Sequence, residues 1–383
     1  MIYQVLLMYI PFLIEQQQCA TDDKILQQVH IFFRHGKRYP SKRELYPKDP
    51  HLTLFKTELL EQLTEIGKQE SCILGNALRL RYAPLIGSTY NPSEIITKSS
   101  GTDRTTESAN FVLDGLFSKC KKYGSVSSNY SITSNIYEIQ QPRFFCPLYN
   151  EELNLFMGQS EAKNILEANK QLLEYLTEKT GRSMKSLLDV LFLYGALSAE
   201  INLNLVIPQW AQALLPLSSA KYANLSLPNW ASDVYDSLRE MATLRLSTEN
   251  YNTKLKRLSG GRMFRIVLEN MIKKSQNLLL PSERKMFLYS SHDVNVANTL
   301  AVLDIFKPHF PHYNSAVMIE LHREPGERYI VKVYYLRDTN NDPEELLLKH
   351  CGTICELQQL KNIMQPLLPT NYTRECESDI LLH

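Results

Sequence analysis

The stretch QVHIFFRHGKRYP, Gln28 to Pro40, opens with a short apolar run and then turns abruptly cationic. Gln28 to Phe33 is rich in β-branched and aromatic residues and too short for a stable helix, so it predicts a buried strand ending at Arg34. Arg34, His35, Lys37 and Arg38 therefore crowd the carboxyl end of a strand. An arginine fork matches the oxygens of a phosphate and stays charged at any relevant pH. His35 between the two arginines offers an imidazole nitrogen, a competent nucleophile when an acceptor holds its other nitrogen. Gly36 would let the backbone turn closely beneath an anion. On its own, Arg-His-Gly equally fits an ordinary strand exit with solvated charges.

The pattern recurs along the chain. Ile66, Cys72, Ile73, Leu74, Ala77 and Leu80 are spaced as on a helix over Thr64–Tyr82. A second strand is predicted at Glu94–Thr97, followed by the polar loop KSSGTDRT and a helix over Thr105–Ser118. A third, Lys285–Ser290, runs into Ser291-His292-Asp293 and then a helical pattern through Val296, Leu300 and Val302. Lys98 ends the second strand and reads as a solvated strand-end charge. In open α/β sheets ligands bind outside the carboxyl ends of the strands, so the three polar clusters are expected to meet. Ala316–Leu321 and Tyr329–Leu336, joined across Glu324–Glu327, predict a hairpin closing the sheet.

Residues 160 to 280 instead read as mostly helical, interrupted at Gly181 and restarted near a capping Asn229. We expect an α/β core made of residues 21–125 and 256–383, with residues 126–255 forming a mainly helical insert that walls one side of the pocket. A chain of 383 residues is long enough for that division.

Forty-two Lys and Arg against 41 Asp and Glu leave a formal charge of +1, which gives no global field for nucleic acid or an anionic membrane. Apolar residues dominate from Ile2 to Ile14 and give way to a polar stretch and Ala20, a pattern that predicts a secretory signal over 1–20, although no Lys or Arg precedes it. No later segment is apolar over the roughly 18 residues a span requires, so no stable membrane anchor is expected after cleavage. Sequons at Asn129, Asn224 and Asn371 agree with secretion as glycosylation sites. Of seven cysteines, Cys19 would leave with the signal. Cys351 and Cys355 suit a short disulfide loop better than zinc, which would want a second Cys or His pair. His30, His51, His309, His312, His322, His350 and His383 show no metal-ligand spacing and read as surface or packing residues.

The full string R-H-G-x-R-x-P, Arg34 to Pro40, together with the late His292-Asp293, resembles the histidine acid phosphatases of the phosphoglycerate-mutase-like superfamily. The resemblance runs on through Thr102-Asp103-Arg104-Thr105, Leu227-Pro228-Asn229-Trp230-Ala231 and Leu258-Ser259-Gly260-Gly261 to the late cysteines. Tyr46-Pro47-Lys48-Asp49-Pro50 and His292-Asp293-Val294-Asn295-Val296-Ala297 look closest to insect venom acid phosphatase-like members. It implies an α/β three-layer sandwich with a mixed central sheet. It also implies a secreted or lysosomal acid phosphomonoesterase acting on small phosphate monoesters or phosphorylated peptides, with no cofactor, no metal and a homodimer left open.

Carried over by residue, the resemblance implies that His35 attacks phosphorus to form a phosphohistidine. Arg34, Arg38, Arg104 and His292 would hold the phosphoryl oxygens, and Asp293 would be the proton donor. Arg104 could instead be a helix-entry residue paired with Asp103, and His292-Asp293 a helix cap. A donor that must be protonated predicts a pH optimum on the acid side, near pH ~5. The resemblance also implies disulfides Cys146–Cys376 and Cys351–Cys355, while Cys72 and Cys120 could pair or remain buried thiols. One departure stands out: family members commonly carry Asp where this chain has Lys37, a change expected to modulate the pocket. A phytase or inositol-polyphosphate phosphatase, and a weakly active secreted anion-binding protein, are the competing readings.

Overall fold

The computed structural model describes residues 25–118, 120, 130–134, 142–204, 228–232, 234–352 and 354–377. The expected signal, Cys19, the sequons at Asn129 and Asn224, and His383 lie outside them.

Strand β1, Ile25–Arg34, runs longer than the apolar hexamer alone suggests. It lies at the centre of a mixed eight-stranded sheet ordered β3-β2-β4-β1-β5-β6-β7, with β8 also pairing β6. Here β2 is Ile95–Ser99, β3 Ile132–Thr133, β4 Met286–Ser291, β5 Ala316–Glu324, β6 Arg328–Leu336, β7 Glu344–Leu346 and β8 Cys355–Glu356. β1, β2 and β4 run parallel as neighbours, and β5 and β6 form the expected antiparallel hairpin. Successive side chains of β1 point to opposite faces. Val29, Ile31 and Phe33 pack with Leu74, Leu78, Val112 and Leu113 of helices α1 (Glu65–Tyr82) and α2 (Asp103–Phe117). Phe32 points the other way, into Met263, Phe264, Val267, Leu300 and Leu360. Helices therefore cover both faces, which makes the three-layer sandwich.

Thr64 caps α1 by accepting a hydrogen bond from the Gly67 amide, matching the expected start. Gly75 and Gly115 bring α1 and α2 into backbone contact, since a Cβ on Gly115 would lie 2.1 Å from the Cys72 carbonyl oxygen. The same contact is closed by a Cys72–Cys120 disulfide, with Cys120 just beyond α2. Cys146–Cys376 and Cys351–Cys355 are also joined, as the resemblance implied.

Helices Ser160–Ala168, Lys170–Thr180, Leu187–Asn204 and Tyr235–Thr248 build a separate apolar cluster around Leu176, Leu187, Val190, Leu197, Leu238 and Ala242, into which Tyr46 inserts. The predicted helix ending at Gly181 is broken at Asn169 into two, and Gly181 terminates the second with φ 69°. Helix Pro147–Gly158 packs elsewhere, with Tyr149 and Leu153 against Leu255, Leu258 and the Cys146–Cys376 bridge. Among the described residues no helix is long and apolar enough to cross a membrane.

Candidate active site

The parallel order β2-β4-β1 sets three carboxyl ends side by side. Arg34 pairs in register with Ser291, and Ser99 with Ser290. The His35 amide donates to the Ser291 carbonyl at 2.9 Å, and the Ser100 amide to Ser290 at 3.1 Å. The loops leaving those ends open into one cleft of about 980 Å³. Arg34, His35, Arg38, Arg104, His292 and Asp293 all line it.

His35 Nδ1 lies 2.9 Å from the Gly36 carbonyl oxygen. A carbonyl only accepts, so Nδ1 carries the proton and Nε2 keeps its lone pair. Burial holds the His35 pKa well below its ordinary value, and Arg104, His292, Arg34 and Arg38 push it the same way. The imidazole is thus uncharged in a strongly cationic hollow. The loop turns where only glycine fits: a Cβ on Gly36 would lie 2.4 Å from the Gly67 carbonyl oxygen, while the Gly36 amide donates to Ser108 Oγ at 2.9 Å.

Each arginine is held by its own partners. Arg34 Nη2 meets Asp293 Oδ2 at 2.9 Å, its Nη1 donates to the Pro311 carbonyl at 2.7 Å, and Tyr313 stacks 3.9 Å from its guanidinium carbon. Arg38 makes a two-pronged contact with Glu44 at 2.8 and 2.7 Å. Burial opposes the Arg38 charge, but Glu44 outweighs it and moves its pKa upward. Arg104 bonds Glu61 at 2.7 Å rather than Asp103. Burial and then repulsion from Arg38 lower its pKa.

His292 is the N-cap of helix Asp293–Val302, so that Asp293 occupies the first helical position. Its Nε2 is 2.8 Å from Ser100 Oγ, itself 3.1 Å from Thr105 Oγ1. This chain orients the ring whose centroid lies 5.4 Å from that of His35. Burial, then Arg104, Arg38 and Arg34, lower the His292 pKa well below its usual value. Asp293 accepts from the Val294 amide through Oδ1 and is partly exposed to the cleft.

Lys37 is turned out of this arrangement. It pairs with Glu70 of α1 at 2.6 Å and is not a cleft residue, because the backbone reverses at Gly36 and sends it to the helix side. Lys98 also lies outside the cleft. Burial, and then Arg284, lower its pKa. His309 and His312, read as surface or packing residues, line the cleft instead, carried there by the loop before β5. Glu44, Glu61, Ser100, Ser108 and Tyr313 escaped sequence reasoning. Glu44 lies close enough after Arg38 to be found by charge pairing, whereas Tyr313 reaches Arg34 only through the β1–β5 pairing. His30 is buried beside Tyr289 and Gln28, and burial pushes its pKa down to about 3.

The chain belongs to the histidine phosphatase superfamily (branch 2), which it matches over residues 25–336. Among its relatives, the venom acid phosphatase of Apis mellifera is 28% identical over 361 residues, covering 92% of this chain and 88% of that one. Human prostatic acid phosphatase is 29% identical over 358 residues, with 92% and 88% covered. Two solved structures share the fold. A phytase from Klebsiella has a TM-score of 0.63 at 17% identity, covering 92% of this chain and 99% of its own. Hafnia alvei phytase, in complex with tartrate, has a TM-score of 0.65 at 14% identity, covering 92% and 98%.

Proposed function

We propose that this chain is an acid phosphatase that hydrolyses phosphate monoesters through a phosphohistidine. The observation that carries this reading is the uncharged Nε2 of His35 facing a cleft it shares with three arginines, His292 and Asp293. Nε2 attacks phosphorus as the bond to the leaving oxygen breaks, and protonated Asp293 gives that oxygen its proton. Water then attacks the phosphohistidine, Asp293 takes a proton from it, and the P–N bond breaks to release phosphate and free His35. Arg34, Arg38 and Arg104 neutralise the equatorial oxygens, which is most of what phosphoryl transfer asks of a protein. His292, held by Ser100, is placed beside His35 against the same oxygens. These steps require no metal.

The acid phosphatase relatives support the reaction class, and the disulfides and N-terminal apolar run support secretion or delivery to a lysosome. The exposed Asn371, on a short helix start, suits glycosylation. The helical cluster around Leu187–Asn204, as an insert, walls the cleft through Tyr194 and Ser198. The test is turnover of p-nitrophenyl phosphate at pH ~5 with a chelator present, beside His35→Ala, with acid-labile phosphoprotein trapped by rapid quench. We expect metal-independent turnover, a trapped phosphohistidine, and loss of both in the variant by at least ~10³-fold. Undiminished turnover in His35→Ala would remove the nucleophile from the scheme.

A further inference from the structure

The cleft extends well past the hollow that a phosphoryl group fills, and its outer part has a distinct chemistry. Tyr194, Tyr235 and Phe310 form an aromatic wall, with ring centroids 5.4 and 4.8 Å apart. Beyond that wall the mouth is basic. Arg239 from helix Tyr235–Thr248 and Arg337 from the end of β6 both line it, and His312 stands with them. The inner arginines themselves lie largely buried, with close carboxylate partners in Asp293, Glu44 and a half-exposed Glu61. The outer ones do not. Arg239 pairs at 2.9 Å with Asp236, which is 80% exposed, and Arg337 reaches Glu344 only at 3.8 Å with both side chains about half exposed. Such exposed pairs hold little energy and open easily.

His312 ties the two parts together. Burial lowers its pKa; Asp338 opposes that, and Arg34, Arg337 and Arg239 reinforce it. One side chain thus feels the inner Arg34 and both outer arginines. Glu240 lines the same mouth, and with Asp338 it works against an anion there. Among the residues that line the mouth, the two arginines outnumber the single carboxylate of Glu240, and the exposed His312 imidazole adds a hydrogen-bond donor.

We propose that Arg239, Arg337 and His312 form a second anion subsite, so that this phosphatase favours phosphomonoesters whose leaving group carries a further carboxylate or phosphate. The assignment rests on the phosphatase reading above, which places the scissile phosphate at His35. The aromatic wall covers the body of the leaving group, and the outer arginines receive its far end by charge-assisted hydrogen bonds. A neutral leaving group would fill the wall and leave the mouth unused.

Calorimetry with two inert series tests this: alkylphosphonates, and ω-carboxyalkylphosphonates of matched length, across a range of chain lengths. At the length that spans the cleft, the carboxylated compound should bind about fivefold tighter than its plain partner. In an Arg239→Ala/Arg337→Ala variant, shown by thermal melting to be folded, the two affinities should converge. Equal binding of both series at every length, in a protein that turns over p-nitrophenyl phosphate, would overturn the subsite and leave the phosphatase reading intact. A gain that persists in the double variant would also overturn it. Failure of the plain phosphonates to bind, with no turnover, would remove both.

Discussion

An imidazole attacks only while its ring is neutral, and the surroundings of His35 arrange this below the pH at which a free histidine takes a proton. Burial, then Arg104, His292, Arg34 and Arg38, keep its pKa well under 6.5. Its protonation therefore does not limit the reaction as pH falls from neutrality, and the acid limb of kcat/KM should show no inflection near 6.5. An inflection there would mean that His35 titrates as an exposed ring. The linkage has a stability side. The unfolded chain protonates this histidine below 6.5 while the folded one does not, so stability owed to it is present above 6.5 and declines as pH falls. Asp293 has a separate, testable signature. If it protonates the leaving oxygen, Asp293→Asn should slow alkyl phosphates far more than p-nitrophenyl phosphate, whose leaving group needs little proton. A ratio of alkyl to aryl kcat lowered by about tenfold or more is expected; an unchanged ratio would show that Asp293 serves only to hold Arg34.

Helix Leu187–Asn204 carries an opposite pH dependence. Glu200 is fully buried on it, with the Tyr46 hydroxyl and Asp49 close by and no cationic partner among the described residues. Burial, then repulsion from Asp49, push its pKa up to about 8. The folded chain keeps this proton between the ordinary glutamate value of 4.5 and about 8, whereas the unfolded chain releases it. Stability from Glu200 is accordingly full below 4.5 and lost as pH rises through that window, on the order of a few kcal/mol in total. Melting Glu200→Gln beside the parent should show a gain at pH 8 that shrinks toward pH 5; equal differences at both would contradict a buried neutral carboxyl. An element that seals the cleft wall is thus most secure in acid, where the proposed reaction runs.

Across the molecule, a phosphate in the cleft would touch groups from β1, β2 and β4 at once, so its binding energy becomes folding energy. Inorganic phosphate at ten times Kd should raise stability by about 1.4 kcal/mol. A rising melting temperature with phosphate, absent in Arg38→Ala, checks it. The same convergence explains what could be read in advance. Arg34, His35 and Arg38 are neighbours in the chain, and His292 and Asp293 are too, so each half of the site was legible as a motif. The strands were legible because buried runs of branched and aromatic residues have few alternatives. Lys37 was misplaced because adjacency in sequence says nothing about which side of a tight turn a side chain leaves.

The chain's own order of residues determined three strands ending in polar clusters, a helical middle stretch, and a glycine beneath the cationic loop, because such preferences are local and backbone-borne. Only the tertiary structure decided that β4 lies between β1 and β2. It also decided that Glu61 and Tyr313 restrain two of the arginines, and that His312 joins the outer cations. Those facts depend on strand pairing and loop packing between segments tens to hundreds of residues apart, where the energy lies in contacts that no short window contains.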